Sequence, residues 1–243
     1  MEHPSGWDLY CEYVDEITNI NRFFLPPKFV RLFEAVFCEK SNVYTASPSI
    51  IFYRGRVNKP REKFTSVSEL RGNKYANVAN RASPMGISYT YLASNPETVI
   101  SEVRPNIGQT VTIAEYCLNE TKKFFSLDYF AFADNKEGAE FSGKDISCFV
   151  LYLSYAFATP CNHNRELDYL PCQYFAEYCK RAGFSGIRYK SAARGFYNCE
   201  DDYNYVIFED SDLVFQNASE YVVKEINYVL SEPEPIALVD TIK

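Results

Sequence analysis

Residues 80–105, NRASPMGISYTYLASNPETVISEVRP, place an arginine, a tyrosine and a glutamate where a single pocket can use all three. These residues are Arg81, Tyr91 and Glu102. Upstream of the glutamate, large apolar side chains alternate with smaller or polar ones, which is the pattern of a strand with one aromatic face. The large side chains are those of Ile87, Tyr89 and Tyr91. The stretch therefore predicts a strand that ends near Tyr91.

A short helix is predicted directly after this strand. Ser94, followed by Pro96 and Glu97, matches a capping box, and proline is tolerated in the first helical turn because its missing N–H has no partner there. Pro105 is expected to end the helix. The predicted buried stripe consists of Val99, Ile100 and Val103. Glu102 lies at the edge of that stripe, so we expect its carboxylate to be half-buried.

A half-buried carboxylate near an arginine has two interpretations. Desolvation and a positively charged partner can hold Glu102 and Arg81 ready for chemistry, which favours a functional site. Alternatively, Glu102 is an ordinary surface residue and Arg81 is its salt-bridge partner. The residue pattern alone leaves both interpretations open.

A second basic feature lies upstream, in residues 50–57. The sequence IIFYRGRV is rich in β-forming residues and carries Arg54 and Arg56 at alternate positions, which places both on one face of a strand. Two arginines beside a cleft can hold a pyrophosphate through forked, charge-assisted hydrogen bonds. The alternative is a solvated edge strand. Residues 58–75 are polar and basic and are predicted to form a loop that can cover the pocket as a lid.

The order and spacing of Arg81, Tyr91 and Glu102 resemble the core of the RES domain, a family of NAD-degrading enzymes named for its arginine, glutamate and serine. The family's serine follows a glycine-led strand, and Ser191, after GIRYK at residues 186–190, matches it. An earlier Tyr-Arg-x-Arg strand of the family matches YRGR at residues 53–56. The resemblance extends over residues 50–208, which is most of the chain.

The resemblance implies an α+β fold with a mixed β-sheet core, similar to that of ADP-ribosyltransferases, and helices packed around it. It also implies cleavage of the nicotinamide–ribose N-glycosidic bond of NAD, with water or phosphate as acceptor. NAD is then a substrate, and no cofactor or metal is expected because the leaving group is already activated. The chain lacks a GxGxxG motif, so a Rossmann redox site is not supported.

Each residue of the resemblance has an expected role. Glu102 would stabilise the oxocarbenium-like transition state, by holding the ribose or orienting the acceptor. Arg81 would bind a phosphate and keep Glu102 ionised, while Tyr91 would stack on a ring. Ser191 would hydrogen-bond the ribose, a phosphate or the acceptor. The expected substrate-binding residues of the first strand are Tyr53, Arg54 and Arg56.

Members of the family often act as toxins restrained by an antitoxin, or as effectors of phage defence. An antitoxin or another regulatory protein is therefore an expected partner, and a homo-oligomer is compatible with the sequence. Three other functions stay open. The pocket can serve an ADP-ribosyltransferase that modifies a macromolecule, a module that binds nucleotide without turnover, or an interaction protein whose aromatic surface contacts a partner.

Composition limits the class of protein. The 243 residues are 47% hydrophobic and 16% aromatic, enough for one large core. A net charge of −7 and a pI near 5.1 argue against a nucleic-acid binder. The acidic N-terminal segment lacks the apolar core of a signal peptide, and no apolar run approaches the ~20 residues of a membrane-spanning helix. We therefore expect a cytoplasmic protein without membrane contact.

The eight cysteines are predicted to be reduced, buried thiols rather than a disulfide framework. The chain has no CxxC pair, and its two histidines are His3 and His163. A zinc site is therefore not expected. The residues that would have to form one are Cys161, His163, Cys172 and Cys179.

Three regions are predicted along the chain: an N-terminal helical extension at residues 1–45, a RES-like NAD-degrading domain at 46–230 and a loose tail at 231–243. The extension has helical spacing in residues 8–22 and again after Pro27, and we expect this helical pair to pack within the chain. Further strands are predicted at residues 110–118, 186–191, 203–208 and 222–230, and a helix at 168–182. Residues 147–157 fit either a helix or a buried strand, and no element is assigned to the rest of 119–147.

Overall fold

An eight-stranded mixed sheet with helices packed on it forms the architecture of the protein, which confirms the predicted α+β fold. The computed structural model describes residues 5–38, 40–72, 78–128, 140–159, 165–194 and 201–226. The strands are β1 (Val43–Ala46), β2 (Phe52–Val57), β3 (Thr90–Ala93), β4 (Thr110–Leu118), β5 (Lys122–Ser126), β6 (Gly186–Lys190), β7 (Tyr203–Ile207) and β8 (Leu213–Val222). The α-helices are α1 (Gly6–Asp15), α2 (Pro27–Cys38), α3 (Val67–Leu70), α4 (Pro96–Val103), α5 (Gly143–Ala158), α6 (Arg165–Asp168) and α7 (Leu170–Arg181).

The strand order across the sheet is β1-β5-β6-β7-β3-β2-β4-β8. Neighbouring strands run antiparallel except β5 and β6, which run parallel. β2 and β3 therefore lie in the middle of the sheet, and β1 and β8 form its edges.

The sheet is split between β2 and β3. Within these two strands the register contains a single pair, Tyr53 opposite Ala93. By contrast, β2 pairs with β4 over six positions and β3 pairs with β7 over four. The backbones of β2 and β3 therefore diverge beyond that one pair, toward Arg56 on one strand and Thr90 on the other. Room for a ligand arises between two strands that are each well supported on their outer side.

The helices α1, α2, α5 and α7 form the largest core cluster with one face of the sheet. Aromatic rings dominate this core: the ring centroid of Phe33 lies 5.4 Å from those of both Tyr13 and Phe175. The hydroxyl of Tyr13, which is fully buried, donates to the carbonyl of Pro171 at 2.7 Å. The N-terminal helical pair thus packs within the chain, as expected. β1 crosses the proposed boundary at residue 45 and pairs with β5; the domain boundaries themselves stay a prediction.

Helix α4 approaches β2 closely because β2 has a glycine at the contact. A Cβ atom added to Gly55 would lie 2.3 Å from Val99 Cγ1, so a larger residue would push the helix away. Val99 packs there in a small cluster with Ala93, Val111 and Ile113. This close packing brings Glu102, one turn further along α4, to the split in the sheet.

Most predicted elements correspond to observed ones. β4 has the predicted bounds, and residues 147–157 are helical within α5. α1 continues into a π-helical turn, Glu16–Ile20. α7 ends as expected, with Gly183 in a left-handed conformation (φ 88°). The N–H groups of Gly183 and Phe184 donate to the carbonyls of Lys180 and Cys179, both at 3.1 Å.

Some local predictions are wrong. The last strand is β8, Leu213–Val222, rather than residues 222–230, of which 227–230 lie outside the described residues. β8 is an edge strand with polar, exposed positions in its middle, so its hydrophobic pattern is weak. β5 lies in a stretch to which no element was assigned. The loop between β2 and β3 contains α3, and its residues 73–77 are not described, so its role as a lid stays a prediction.

Candidate active site

A cavity of about 390 Å³ occupies the split between β2 and β3. This volume lies within the range of small-molecule sites. Residues of β2, β3, α4, β6, β7 and the segment before β3 line it. Glu102 of α4 and Arg54 and Arg56 of β2 are among the residues that line it. We call the surroundings of Glu102 the carboxylate end and the surroundings of Arg54 and Arg56 the arginine end.

At the carboxylate end, Glu102 is held by two buried donors. Its Oε1 atom accepts hydrogen bonds from Ser191 Oγ and from Asn204 Nδ2, both at 2.6 Å. Ser191 and Asn204 are 2% and 7% exposed, so neither donor is free to turn toward bulk water. Among the described residues no side chain donates to Oε2. Glu102 itself is exposed to the cavity, so the expectation of a half-buried residue is wrong.

The N-terminus of α4 fixes the position of this carboxylate. Asn95, rather than the predicted Ser94, is the cap: its Oδ1 accepts from Thr98 N at 2.8 Å. Asp202 Oδ1 accepts from Asn95 Nδ2 at 3.0 Å and from Thr98 Oγ1 at 2.8 Å. The carbonyl of Asp202 also accepts from Ser191 N at 3.0 Å. One buried residue thus ties the helix that carries Glu102 to the strand end that carries Ser191.

Tyrosines form one wall of the cavity. Tyr91 Oη accepts from Ala82 N at 3.0 Å and lies 3.1 Å from Ser83 Oγ, and burial raises the pKa of its phenol. Tyr89 and Tyr189 line the same space, and burial raises the pKa of each. All three phenols are therefore neutral at physiological pH, and the wall is aromatic and uncharged.

Arg81 makes its hydrogen bonds elsewhere, although its positive charge acts to lower the pKa of Tyr91 and of Tyr189. Its Nη1 donates to the carbonyl of Phe157 and, at 3.4 Å, to that of Ala156, at the C-terminal end of α5. A positively charged group there satisfies free carbonyls and complements the helix dipole. Arg81 is not among the described residues that line the cavity, and it forms no ion pair with Glu102. The predicted salt-bridge alternative is therefore wrong.

At the arginine end, Arg54 and Arg56 line the cavity from β2. Arg54 Nη1 reaches across the split and donates to the carbonyl of Tyr91 at 2.8 Å. Burial lowers the pKa of Arg54 to about 10, and the neighbouring Arg56 acts in the same direction. β2 lies between β3 and β4, so the alternative of a solvated edge strand is wrong. Tyr53 lines the cavity near its narrow end, where β2 and β3 pair.

Sequence reasoning missed Asn204, although the residue donates to Glu102. The signal was a single amide in the otherwise apolar and aromatic strand YNYVI of β7. A buried asparagine needs partners for its polar atoms, so such a position predicts a polar neighbour. The partner could not be identified in advance, because β7 and α4 are distant in sequence.

The cysteines and histidines give no site in the part of the chain that is described. Six described cysteines are free; Cys172 and Cys179 are buried, while Cys11 and Cys38 are exposed, so the expectation that all are buried is wrong. Cys161, His163 and His3 lie outside the described residues. No cluster of three ligating side chains occurs among those described. Within the same ranges, no helix has the length and apolar composition to cross a bilayer.

One family model matches most of the chain. The RES domain model matches residues 54–231, a range that begins within β2 and extends beyond β8. No curated protein matches the chain. Among solved structures, the crystal structure of the M. tuberculosis MbcT-MbcA toxin-antitoxin complex is similar, with 12% sequence identity and a TM-score of 0.49. The similarity covers 82% of this chain and 94% of that one.

Proposed function

The chain belongs to the RES domain family, and on that premise we propose that it is an NAD-degrading enzyme that cleaves the nicotinamide–ribose N-glycosidic bond. The cavity in the split sheet is the proposed site of reaction. The proposed contributors are Glu102, Ser191 and Tyr91, with Tyr53, Arg54 and Arg56 as substrate-binding residues, and Arg81 stays a predicted contributor.

The geometry of Glu102 is the observation that carries this proposal. Two donors at 2.6 Å fix Oε1, while no side chain among the described residues donates to Oε2, and Glu102 lines the cavity. As nicotinamide leaves, the ribose gains positive charge, and a carboxylate already held in place stabilises that charge without reorganisation. A surface glutamate with free rotamers would not provide this advantage.

The proposed reaction balances without a redox step. The bond between ribose C1′ and the nicotinamide nitrogen breaks, and its electron pair stays with nicotinamide, which leaves neutral. The acceptor oxygen forms the new bond to C1′. When the acceptor is water, one proton is released, and Glu102 Oε2 is the group available to take it. The products are nicotinamide and ADP-ribose.

The tyrosine wall supports binding of a flat heteroaromatic ring. Tyr89, Tyr91 and Tyr189 are held by hydrogen bonds or packing, and all stay uncharged because burial raises their pKa values. Tyr89 Oη, for example, donates to Glu177 Oε1 at 2.5 Å. Rings fixed in this way offer stacking or edge contacts at low entropic cost. We propose that nicotinamide binds beside this wall with the scissile bond toward Glu102.

Water is the favoured acceptor, with phosphate as its competitor. Phosphorolysis needs a second anion beside the diphosphate of NAD, with its own donors. Arg81 was an expected donor, but its guanidinium bonds to the carbonyls at the end of α5. Fewer positive groups then remain for a second anion near the negative charge of Glu102. Hydrolysis requires only water and a base.

A cytoplasmic toxin or defence effector is the biological setting that we infer from the family, with an antitoxin or regulatory protein as the restraining partner. Uncontrolled loss of an abundant metabolite would arrest growth. Expression of the chain should therefore drain cellular NAD, and normal NAD levels beside abundant soluble protein would argue against an unregulated enzyme.

The deciding experiment is product analysis of NAD incubated with the purified chain, with and without inorganic phosphate. Release of nicotinamide and free ADP-ribose at an unchanged rate supports hydrolysis. A phosphate-dependent rate that yields ADP-ribose 1″-phosphate would replace water by phosphate. Unchanged NAD would reject the proposed function, and label transferred to a protein or nucleic acid would indicate an ADP-ribosyltransferase.

A further inference from the structure

A second cavity lies between α7, the π-helical turn that follows α1, and the segment before β3. Its volume is about 440 Å³, which is also within the range of small-molecule sites. Most of its described lining is apolar or aromatic: Ile17, Phe23, Pro84, Leu170, Tyr174 and Tyr178. The two cavities share no described lining residue, so the second is a separate candidate site.

Two side chains of α7 connect this second cavity to the wall of the first. Gln173 and Glu177 lie about one helical turn apart and line the second cavity. Gln173 Nε2 donates to the carbonyl of Asn80 at 2.8 Å, and Glu177 Oε1 accepts from Tyr89 Oη at 2.5 Å. Asn80 and Tyr89 both line the first cavity. A ligand that moves Gln173 or Glu177 therefore acts on the first cavity through a hydrogen bond.

Two guanidinium groups at the second cavity are available to an anion. Arg22 and Arg181 line it, are exposed, and lie beyond ion-pairing distance of every described carboxylate. Glu177 precedes Arg181 by four residues on α7, the spacing at which a helix ordinarily forms an ion pair. Here the Glu177 carboxylate accepts from Tyr89 instead. The second cavity therefore combines an apolar lining with two solvent-accessible positive charges.

We propose that the second cavity is a regulatory site for a small apolar molecule that carries one carboxylate, bound by Arg22 and Arg181. Burial of the apolar body against the aromatic lining provides affinity. Guanidinium–carboxylate hydrogen bonds orient the ligand and discriminate against a neutral analogue. Phe23 is 83% exposed beside the cavity, and the ligand body would cover part of its ring.

The test of binding is isothermal titration calorimetry of the full chain with 2-naphthoate and with 2-naphthamide, its neutral analogue of similar shape. We expect naphthoate to bind at least about tenfold more tightly than the amide, because only the carboxylate forms charge-assisted bonds with the arginines. Arg181→Gln and Arg22→Gln should each weaken naphthoate about fivefold and leave the amide unchanged. Both arginines are exposed, so neither change should disturb the fold.

Arg56→Gln is the matched control, since it removes the same charge from the lining of the first cavity. It should leave the affinity for naphthoate unchanged, with an intact circular dichroism spectrum. The site is rejected if naphthoate does not bind, or if it binds no more tightly than the amide. It is also rejected if Arg56→Gln weakens naphthoate while Arg181→Gln does not, because the probe would then lie in the first cavity.

The regulatory part of the inference rests on the proposed function and is tested by NAD cleavage. A ligand that packs against Glu177 displaces the acceptor of Tyr89 Oη, so saturating naphthoate should raise the KM for NAD at least about threefold. Arg181→Gln should raise the naphthoate concentration needed by the same factor as its loss of affinity. Unchanged kinetics at saturation would reject regulation. Naphthoate binding that depends on Arg181, in a chain that leaves NAD intact, would keep the site and reject only the proposed reaction.

Discussion

The two ends of the cavity differ in how completely the protein provides hydrogen-bond and ion-pair partners for their charged groups. At the carboxylate end, Ser191 and Asn204 both donate to one oxygen of Glu102, and Asp202 ties the supporting elements together. At the arginine end, buried Nε atoms have no partner, and no described carboxylate pairs with the guanidiniums. Both ends lie on one split in one sheet.

This difference separates two tasks. Groups that act on a transition state work best when their direction is fixed before the substrate arrives, because no energy is then spent on reorganisation. Groups that recruit a charged substrate gain from being incomplete, because the substrate itself supplies the missing charge. The carboxylate end fits the first task and the arginine end the second. Substitutions at the two ends should therefore change different kinetic constants.

Loss of the Glu102 charge should have the largest effect. Glu102→Gln keeps an oxygen that can accept from Ser191 and Asn204 but removes the negative charge. We expect kcat for NAD cleavage to fall by about a thousandfold, with NAD affinity changed far less. Nicotinamide release measures kcat, and calorimetry with NAD on the inactive variant measures affinity.

Glu97→Gln is the control for this prediction. Glu97 lies on the same helix, α4, and is exposed, and it is not among the described residues lining the cavity. Its replacement should leave kcat within about twofold of the wild type. Near wild-type turnover of Glu102→Gln, with an intact circular dichroism spectrum, would mean that the carboxylate does not act in the reaction.

Removing one donor to Glu102 should have a smaller effect on the same constant. Asn204→Ala leaves the Ser191 bond to Oε1 but frees the carboxylate to rotate. A hydrogen bond to a charged group corresponds to roughly 10- to 100-fold in rate, so we expect kcat to fall within that range while KM changes little. Steady-state kinetics gives kcat and KM separately and so tests this prediction. A rise in KM with kcat unchanged would place Asn204 in substrate binding rather than in the positioning of Glu102.

The sequence predicted some residues of the two ends and missed others, because it reveals patterns along one stretch but not contacts between distant stretches. Glu102, Tyr91 and Ser191 were predicted as site residues because their spacing and order matched a known family. The alternation of side chains predicted the strands β2 and β4. Asn204 was missed because it acts through a partner far away in sequence, in α4. The split itself depends on register between β2 and β3, which no pattern within either strand encodes.

Arg81 is the opposite case. Its spacing matched the family, but its hydrogen bonds go to the C-terminal end of α5. Arg81→Ala removes the donor to the carbonyls of Ala156 and Phe157, so we expect the free energy of unfolding to fall by about 1–2 kcal/mol. Urea denaturation measures this. Arg31→Ala serves as the control, since its pair with Glu140 is on the surface and its loss should leave the free energy of unfolding close to the wild-type value.

The two outcomes for Arg81 have different consequences for the comparison. If Arg81→Ala lowers kcat only in proportion to the fraction unfolded, the residue supports α5 and the tyrosine wall. If the variant keeps wild-type stability but loses NAD cleavage, Arg81 acts on the substrate, and the arginine end extends further than the described cavity.

Raising the pH should produce the smallest effect and should act on the arginine end alone. Arg54 has a pKa lowered to about 10 in the folded protein, so it begins to lose its proton between about pH 9 and pH 10, where an ordinary arginine stays charged. At pH 10 about half of the Arg54 side chains are neutral, which predicts roughly a twofold weaker affinity than at pH 8 for ADP, which carries a diphosphate but no nicotinamide–ribose bond. The affinity for adenosine, which lacks the diphosphate, should stay constant, and ADP itself does not titrate in this interval.

The pH dependence of the free energy of unfolding shows that the change in ADP affinity can be separated from unfolding. Because the folded-state pKa of Arg54 lies below its ordinary value, holding the proton costs stability at neutral pH, and that cost is relieved as the pH rises above about 10. The buried tyrosines act in the opposite direction: the pKa of Tyr91, for example, is raised by burial, so the stability it contributes is complete below pH 10 and is lost above it. Calorimetry between pH 8 and pH 10 therefore samples folded protein. A constant ratio of ADP to adenosine affinity across that interval would show that Arg54 does not contact the diphosphate.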